Sequence, residues 1–302
     1  MSRALNVTAG GLALRRLKRH RLAMASAGLL ILLALASWAA PLAEFLLNAE
    51  ADTVNLFARF QAPSLDAPLG KDELGRDVLV RLLYGGRVSL LVGLVTAVAA
   101  AVIGTIIGLL AGYFGGRLDA LLMRLTDGVI ALPLLPLLIV LAAVDLGKLG
   151  LPQGLAEAEN VSLYRIMAIV TLVAWTTVAR LVRGAALSLR ERDFVQAARA
   201  QGASSGRIML VHILPNLISP IIVATTLSVG NVILLESVLS FLGLGIQPPI
   251  PSWGNLLTNA QELIFSAPAL AFYPGTLIFL TVIAFNFLGD GLQDALDPKA
   301  SN

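Results

Sequence analysis

The chain contains 302 residues, 57% of them hydrophobic and 14% charged, and its mean hydropathy is +0.83. Because soluble domains carry about 25% charged residues, this composition excludes an ordinary soluble domain and predicts a polytopic membrane protein. The net charge of +3 is spread among apolar runs, which argues against a nucleic-acid-binding face, and the absence of cysteine excludes disulfides and thiolate chemistry.

The first elements along the chain are a basic tail and an apolar run. Residues 1–21 are polar and rich in arginine. The apolar run 22–47 is longer than the hydrophobic region of a signal peptide and lacks a distinct small-residue cleavage site, so it is interpreted as a retained transmembrane helix. A long polar segment follows it. Residues 22–86 therefore form one predicted unit, the first transmembrane helix with its extracytoplasmic loop.

Five further apolar runs are long enough to cross a bilayer, whose hydrocarbon core takes about 20 residues of helix. They lie near 87–112, 119–145, 165–187, 216–243 and 269–291. Since these runs lack the alternation of a membrane barrel, the sequence predicts an all-α protein with six transmembrane helices. Residues 87–291 form the predicted core and 292–302 a second tail. Lys and Arg are concentrated on the side of the N-terminus, which predicts that both termini are cytoplasmic.

Local features refine the predicted spans. Glycine and alanine at near-helical spacing in the second span predict close helix packing. In the third span, Arg124 and Asp127 are three residues apart, which favours a local ion pair. Pro133 and Pro136 predict a kink, and this kink is compatible with a gate and equally with simple packing. The loop 146–164 has no functional interpretation.

A polar, charge-rich loop at 188–215 separates the fourth and fifth spans. Ser188 and Glu191 have the spacing of a capping box, and Phe194, Ala197, Ala198 and Gln201 are placed on one helical face. Gly202 is predicted in the left-handed conformation that ends a helix. Ser204 or Ser205 then caps a second short helix that carries Ile208, Val211 and His212, and Pro215 opens the next span. An alternative is a basic amphipathic loop that only lies on lipid headgroups.

The run Gln196-Ala197-Ala198, followed by Gly202 and by Leu214-Pro215, resembles the EAA loop of permease subunits of ATP-binding-cassette importers. The resemblance implies a coupling helix that docks on a cytoplasmic ATPase. Gln196 replaces the more usual Glu and His212 the more usual Ile, while His212 to Asn216 is similar to the peptide and nickel branch. The coupling residues implied are Glu191, Phe194, Gln196, Ala197, Ala198, Gly202, Arg207, His212, Leu214 and Pro215.

Two outer segments also resemble peptide-importer permeases. The run 69–77, with the glycines and serine that follow it, is interpreted as a structural cuff around the transmembrane core, although an ordinary solvated loop with weak local ion pairs is the plain alternative. The run 239–254 ends in a predicted short helix at the outer interface. Pro249 and Trp253 are its candidate contacts with a substrate-delivery protein, and a mere membrane anchor stays open.

Two polar side chains in the fifth span are candidates for the translocation path, Asn231 and Glu236. An ionised side chain at the bilayer centre costs roughly 2.5–3.5 kcal/mol on insertion scales, so such residues usually face the protein interior or water. Glu236 is predicted toward the outer half of the span. It either lines the path or accepts a hydrogen bond from a neighbouring helix, and the sequence gives no preference.

The resemblance covers nearly the whole chain and implies a type I importer permease of the dipeptide and oligopeptide permease C family, multi-pass in the bacterial inner membrane. It implies a second permease, two ATPase subunits that hold ATP and Mg, and an extracytoplasmic binding protein as partners. No Gly-rich nucleotide loop, catalytic constellation or metal-ligand set stands out, so a non-catalytic subunit without cofactor or metal is expected. The alternatives are a permease for nickel or another small solute, an ATP-independent secondary transporter or channel, and an intramembrane enzyme.

Overall fold

The computed structural model describes residues 9–144, 154 and 160–296, so most of the loop 146–164 and the ends of both tails lie outside the described residues. Within these ranges the regular secondary structure is helical, as predicted. The helices, numbered in chain order, are α1 Ala9–Arg19, α2 Arg21–Trp38, α3 Ala40–Leu47, α4 Val78–Phe114, α5 Gly116–Ala131, α6 Leu134–Ala142, α7 Val161–Arg190, α8 Asp193–Ala200, α9 Ser205–Phe241, α10 Ala260–Leu263 and α11 Ala269–Leu296.

Among the described residues, five helices are long and apolar enough to cross a membrane: α2, α4, α7, α9 and α11. Helices α5 and α6 make a sixth span when they are counted together, across a bend of 86°. The break falls at Pro133, and Leu132 before it has the extended conformation that a following proline favours. The predicted kink is therefore confirmed, whereas Pro136 lies inside the first turn of α6, where its missing N–H does no harm.

Two span boundaries differ from the prediction. Helix α4 begins at Val78 instead of near residue 87, because Asp77 caps it by accepting a hydrogen bond from the Val80 N–H at 2.9 Å. The first span is divided at Ala39, since Pro41 lacks the N–H that a continuous helix would need there. Hydropathy locates the apolar part of a span. It does not show how far the helix continues beyond that part, where its turns are covered by other segments of the protein and not by lipid.

Helices α4 and α7 form the central packed pair. Gly104 and Gly108 of α4 face the carbonyl oxygens of Trp175 and Ala179, and a Cβ atom added to either glycine would lie 2.5 or 2.4 Å from those oxygens. Such an approach is possible only without a side chain, which is how small residues bring membrane helices together. The predicted close packing of the second span is thus found within this subunit.

Ion pairs join α5 to α7 instead of forming within α5. Asp127 pairs with Arg180 at 2.5 Å, so the predicted local pair of Asp127 with Arg124 is wrong. Asp119 accepts two hydrogen bonds from Arg183, at 2.5 and 2.6 Å. Spacing along one helix permits a local pair, but a guanidinium on an adjacent helix reaches the carboxylate with better geometry.

The acidic C-terminal end of α11 contacts the N-terminal part of the chain. The side of the spans on which both ends of the chain lie is called the inner side below, following the predicted orientation, and the opposite side is called the outer side. His20 caps α2 by accepting a hydrogen bond from the Ala23 N–H, and its other ring nitrogen lies 3.7 Å from an Asp294 carboxylate oxygen. Carboxylates near a helix C-terminus are unfavourable. The neighbouring histidine and the basic helix α1, which packs on α11, offset this arrangement.

Candidate functional site

The turn between α7 and α8 is built differently from the predicted capping box. Ser188 lies inside α7, which continues to Arg190, so it cannot take the extended conformation of an N-cap. Arg192 is the extended residue before α8, and it makes no side-chain cap. Glu191 therefore occupies the turn, where it is exposed and pairs with Arg190 at 2.9 Å.

Helix α8 is fixed to the inner ends of α4 and α7. Val195 and Ala198 are buried in a cluster with apolar residues of α4, α7 and α9. Arg190 donates to the carbonyl of Tyr113 at 3.2 Å, and the Gln196 side-chain amide donates to the carbonyl of Arg190 at 3.1 Å. A glutamate carboxylate cannot donate this last bond. Gln196 thus gives α8 an attachment that the more usual residue would lack.

The opposite face of α8 is exposed. Phe194 is 44% exposed, and Ala197 and Gln201 lie beside it. These three residues share one face, as predicted, but Ala198 was wrongly assigned to it and faces the core instead. An exposed aromatic ring on a rigid, polar helix is a typical anchor for a partner surface.

The turn after α8 confirms the predicted backbone. Gly202 has φ +79°, in the left-handed region, and Ser204 accepts a hydrogen bond from the Arg207 N–H. The predicted second short helix is wrong, because α9 runs without interruption from Ser205 into the fifth span. Wider π-helical turns at Ile208–Ile213 directly precede Pro215, where a regular helix would clash with the proline ring.

The remaining coupling candidates lie on the first turns of α9. Arg207 and Pro215 are exposed, while His212 and Leu214 are half-buried. Asn216 donates its side-chain amide to the carbonyl of His212 at 2.7 Å, which satisfies a group beside the irregular turn. The structure thus brings most of the predicted coupling residues to one inner surface, formed by the exposed parts of α8, of the turn and of early α9.

A groove of about 370 Å³ lies at the break between α5 and α6 and is bounded by α7 and α9. Its walls are largely apolar, with Thr176, Thr177, Ser228 and Asn231 as polar groups. Asn231 is exposed in this groove. Glu236, the other path candidate, is 0% exposed and does not line it. Of the two interpretations left open for Glu236, the geometry favours a hydrogen-bonded interior residue.

The outer run 69–77 packs as a cuff and is not a solvated loop. Asp72 and Arg81 are 5% and 3% exposed, and Asp72 accepts hydrogen bonds from the backbone and side chain of Arg76. Arg81 donates to Asp52 at 3.0 Å, which ties the cuff to the end of the first span. Burial raises the pKa of Asp77 above its ordinary value, although the Val80 N–H opposes this shift.

The two outer motifs, separated by more than 160 residues, meet in one assembly. Trp253 donates its indole N–H to the carbonyl of Leu82 at 3.0 Å, and its ring covers Gly86. With 1% exposure Trp253 is a core residue, so its predicted place in the outer interface is wrong. Its ring cannot contact a delivery protein directly. Pro249 is exposed and can do so.

The chain matches two models of protein families. Residues 104–302 match the family model described as binding-protein-dependent transport system inner membrane component. The chain belongs to this permease family. Residues 8–63 of the permease also match a second family model, the N-terminal transmembrane domain of oligopeptide transport permease C. These matches confirm two predictions: that the chain is an importer permease and that it is a multi-pass membrane protein.

Curated relatives cover almost the whole permease. It is 40% identical to a dipeptide transport system permease protein of Alkalihalophilus pseudofirmus, over 95% of this chain and 89% of the relative. It is 40% identical to an oligopeptide transport system permease protein of Escherichia coli, over 94% and 89%. A glutathione transport system permease protein, also of Escherichia coli, is 42% identical over the same two shares.

A solved structure supports the fold of the permease. Inward-facing MetNI, a methionine ABC transporter, aligns with a TM-score of 0.56 at 19% identity, over 72% of this chain and 96% of that one. The likeness extends to the helical architecture alone. Three buried serines donate hydrogen bonds to Glu236: Ser89, Ser240 and Ser252. The sequence does not predict this group, because isolated hydroxyls in apolar runs carry no periodic signal.

Proposed function

We propose that this permease is the transmembrane subunit of an ATP-driven importer of dipeptides or oligopeptides. The observation that carries the proposal is its 40–42% identity, over nearly the full chain, to permeases named for dipeptide, oligopeptide and glutathione transport. The subunit lies in the bacterial inner membrane with both termini cytoplasmic. It is non-catalytic and binds no cofactor or metal, and two ATPase partners hold ATP and Mg.

The inner surface formed by α8 and early α9 serves as the ATPase-docking element. Phe194 projects from it, while Val195 and Ala198 fix the other side of α8 to the transmembrane core. A movement of Phe194 is therefore transmitted to α4 and α7, because α8 packs directly against both helices. The fold converts ATP-driven movement of the partner into a rearrangement of spans.

The groove beside Asn231 forms this subunit's part of the translocation path, completed by a second, homologous permease. Its walls are apolar and its polar groups are neutral, so the groove does not select for a particular side chain of a bound peptide. Such a lining suits peptides of varied sequence, because selection is then left to the extracytoplasmic binding protein. The break at Pro133 borders the groove and gives it a place where the wall can bend.

A tagged chain expressed in its own host tests the proposal. Purification in mild detergent should retain a second permease and two ATPases, and vesicles of this complex should import labelled dipeptide when ATP and the binding protein are present. Phe194→Ala should lose the ATPases, whereas Phe265→Ala, at a ring 95% exposed between α10 and α11, should retain them.

The other functions considered give different results in the same assay. Uptake of Ni²⁺ instead of dipeptide would replace the proposed solute, and transport by the chain alone without ATP would identify a secondary transporter. Retention of the ATPases by Phe194→Ala at the wild-type level would remove this residue from the docking surface.

A further inference from the structure

A carboxylate is completely buried near the outer end of α9. Glu236 is 0% exposed, and no Lys, Arg or His of the described residues lies within ion-pair distance of it. Three serine hydroxyls donate to it instead. Ser240 and Ser252 donate to Oε1 at 2.8 and 2.9 Å, and Ser89 donates to Oε2 at 3.4 Å.

Each of these serines also accepts a hydrogen bond from the backbone of the outer segment 246–255. The Ile246 N–H donates to Ser240 at 3.1 Å, the Asn255 N–H to Ser252 at 3.0 Å, and the Trp253 N–H to Ser89 at 3.1 Å. A hydroxyl has one proton, so each serine that donates to the carboxylate receives the backbone N–H on its oxygen. Three chains of hydrogen bonds therefore run from the outer segment and converge on one side chain.

These contacts join three parts of the molecule. Ser89 belongs to α4, Glu236 and Ser240 belong to α9, and Ser252 belongs to the outer segment itself. We call this group of four side chains the serine–glutamate joint. The outer segment is pressed onto it, since a Cβ atom added to Gly254 would lie 3.1 Å from Oε1 of Glu236 and 2.6 Å from the Cα of Ser237.

Helix α9 links the joint to the opposite side of the membrane. It is continuous over 37 residues, from Ser205 beside the inner turn to Phe241, a length of about 55 Å at 1.5 Å per residue. Its inner end carries part of the proposed ATPase-docking surface. Its outer end is attached through Glu236 to the segment that contains the exposed Pro249. One continuous helix thus connects the two surfaces at which partners are proposed to bind.

We propose that the serine–glutamate joint is a positioning device through which a binding protein, docked on the outer segment 246–255, displaces α9 and stimulates the ATPases on the inner side. The inference rests on the proposed function, because it needs both partners. It assigns Glu236 a role in transmission between surfaces and not in contact with the solute. The two carboxyl oxygens of Glu236 accept the hydrogen bonds of all three serine hydroxyls.

Replacement by glutamine separates this role from bulk. Glutamine has nearly the shape of glutamate, but its amide nitrogen can only donate, so at least one serine loses its acceptor. The outer segment then becomes loosely attached to α9 while the packing volume stays the same. Docking of the binding protein should persist, since its surface is intact, and transmission to the inner side should fall.

The test uses the complete transporter in lipid nanodiscs, with ATPase activity measured with and without liganded binding protein. For Glu236→Gln and Ser89→Ala, the stimulation by binding protein should fall about fivefold or more, with basal ATPase activity and binding-protein affinity unchanged. Glu262→Gln and Ser266→Ala change exposed residues of the same outer region and should keep wild-type stimulation.

Two results would overturn the proposal. One is wild-type stimulation in both joint variants, and the other is an equal proportional loss of basal and stimulated activity, which indicates a purely structural role. If Glu236→Gln does not assemble, Ser89→Ala and Ser240→Ala decide the question by the same ratio. A wild-type complex that binds no ATPase or ignores the binding protein would instead refute the proposed function.

Discussion

The contact between α4 and α7 gives the sharpest stability prediction. A methyl group added by Gly108→Ala would lie 2.4 Å from the carbonyl oxygen of Ala179 and 2.9 Å from the Cβ of Val182, where ordinary contacts begin at 3.4 Å. Both neighbours belong to a packed helix and neither is the free end of a long side chain. Helix α7 would therefore have to withdraw by about 1 Å along this contact.

The magnitude follows from two opposing effects. Overpacking of a close interface costs about 1–3 kcal/mol, while replacing glycine by alanine inside a helix returns about 0.5–1 kcal/mol. The expected net loss is about 1–2 kcal/mol in the free energy of unfolding, which lowers Tm by about 2–3 °C in a chain of this size. The withdrawal also loosens the cluster that holds α8, so a loss of coupling should accompany the lower Tm.

Gly184→Ala is the matched control. Gly184 also lies in the middle of a long helix, α7, but nothing is within 4 Å of the position that its Cβ would occupy. This variant should melt at or slightly above the wild-type temperature. The assay is the fraction of purified protein that stays monodisperse in detergent after heating. A Gly108→Ala protein that melts at or above wild type would refute the packing argument.

Three further predictions test other parts of the structure. Gly202→Val forces a branched side chain into the left-handed region, at about 1–2 kcal/mol, and should uncouple ATP hydrolysis from uptake. Gly184→Val, at an open position of α7 outside the docking surface, should stay coupled, and normal uptake by Gly202→Val would contradict the prediction. Because the pKa of Asp77 is raised in the folded state, stability should rise as pH falls from the raised value toward about 3.9. Asp77→Asn should keep the cap and flatten this pH dependence of Tm, whereas Asp77→Ala should lose about 1 kcal/mol with the cap. Asp119→Asn should lower Tm more than Asp127→Asn. The Asp119 carboxylate is 15% exposed and accepts two hydrogen bonds from Arg183, whereas the Asp127 carboxylate is 61% exposed. Equal Tm values for the two variants would show that burial adds nothing to the strength of the Asp119 ion pair.

Local chemistry explains which parts of the inner surface could be predicted. Gly202 was placed correctly because a left-handed residue after a short helix is a property of a few consecutive residues. The kink at Pro133 was predictable for the same reason. The capping box at Ser188 failed because α7 continued through it, and a helix held by packing overrides a local stop signal.

Pairings between distant residues could not be predicted. Asp127 pairs with Arg180 and not with Arg124, although both arginines carry the suitable charge. The packing of α5 on α7 brings the Arg180 guanidinium within reach of the carboxylate, and this packing cannot be read from the sequence. Tryptophan is a residue type that is frequent at membrane interfaces. Trp253 is nevertheless buried, because Gly86 has no side chain and leaves room for its ring in the core. In each case the deciding neighbour is far away in sequence.

The sequence by itself determined that the chain is an all-α membrane protein with about six spans. The free energy of transferring a helix into lipid is a sum of contributions from the residues of that helix, so it can be read from the sequence. Resemblance in its loops determined the family. Only the tertiary structure decided that Glu236 is enclosed by serines, that α9 is continuous through Pro215, and that two outer motifs form one assembly. These features depend on which backbones approach one another closely, and that arrangement is a property of the packed helices together.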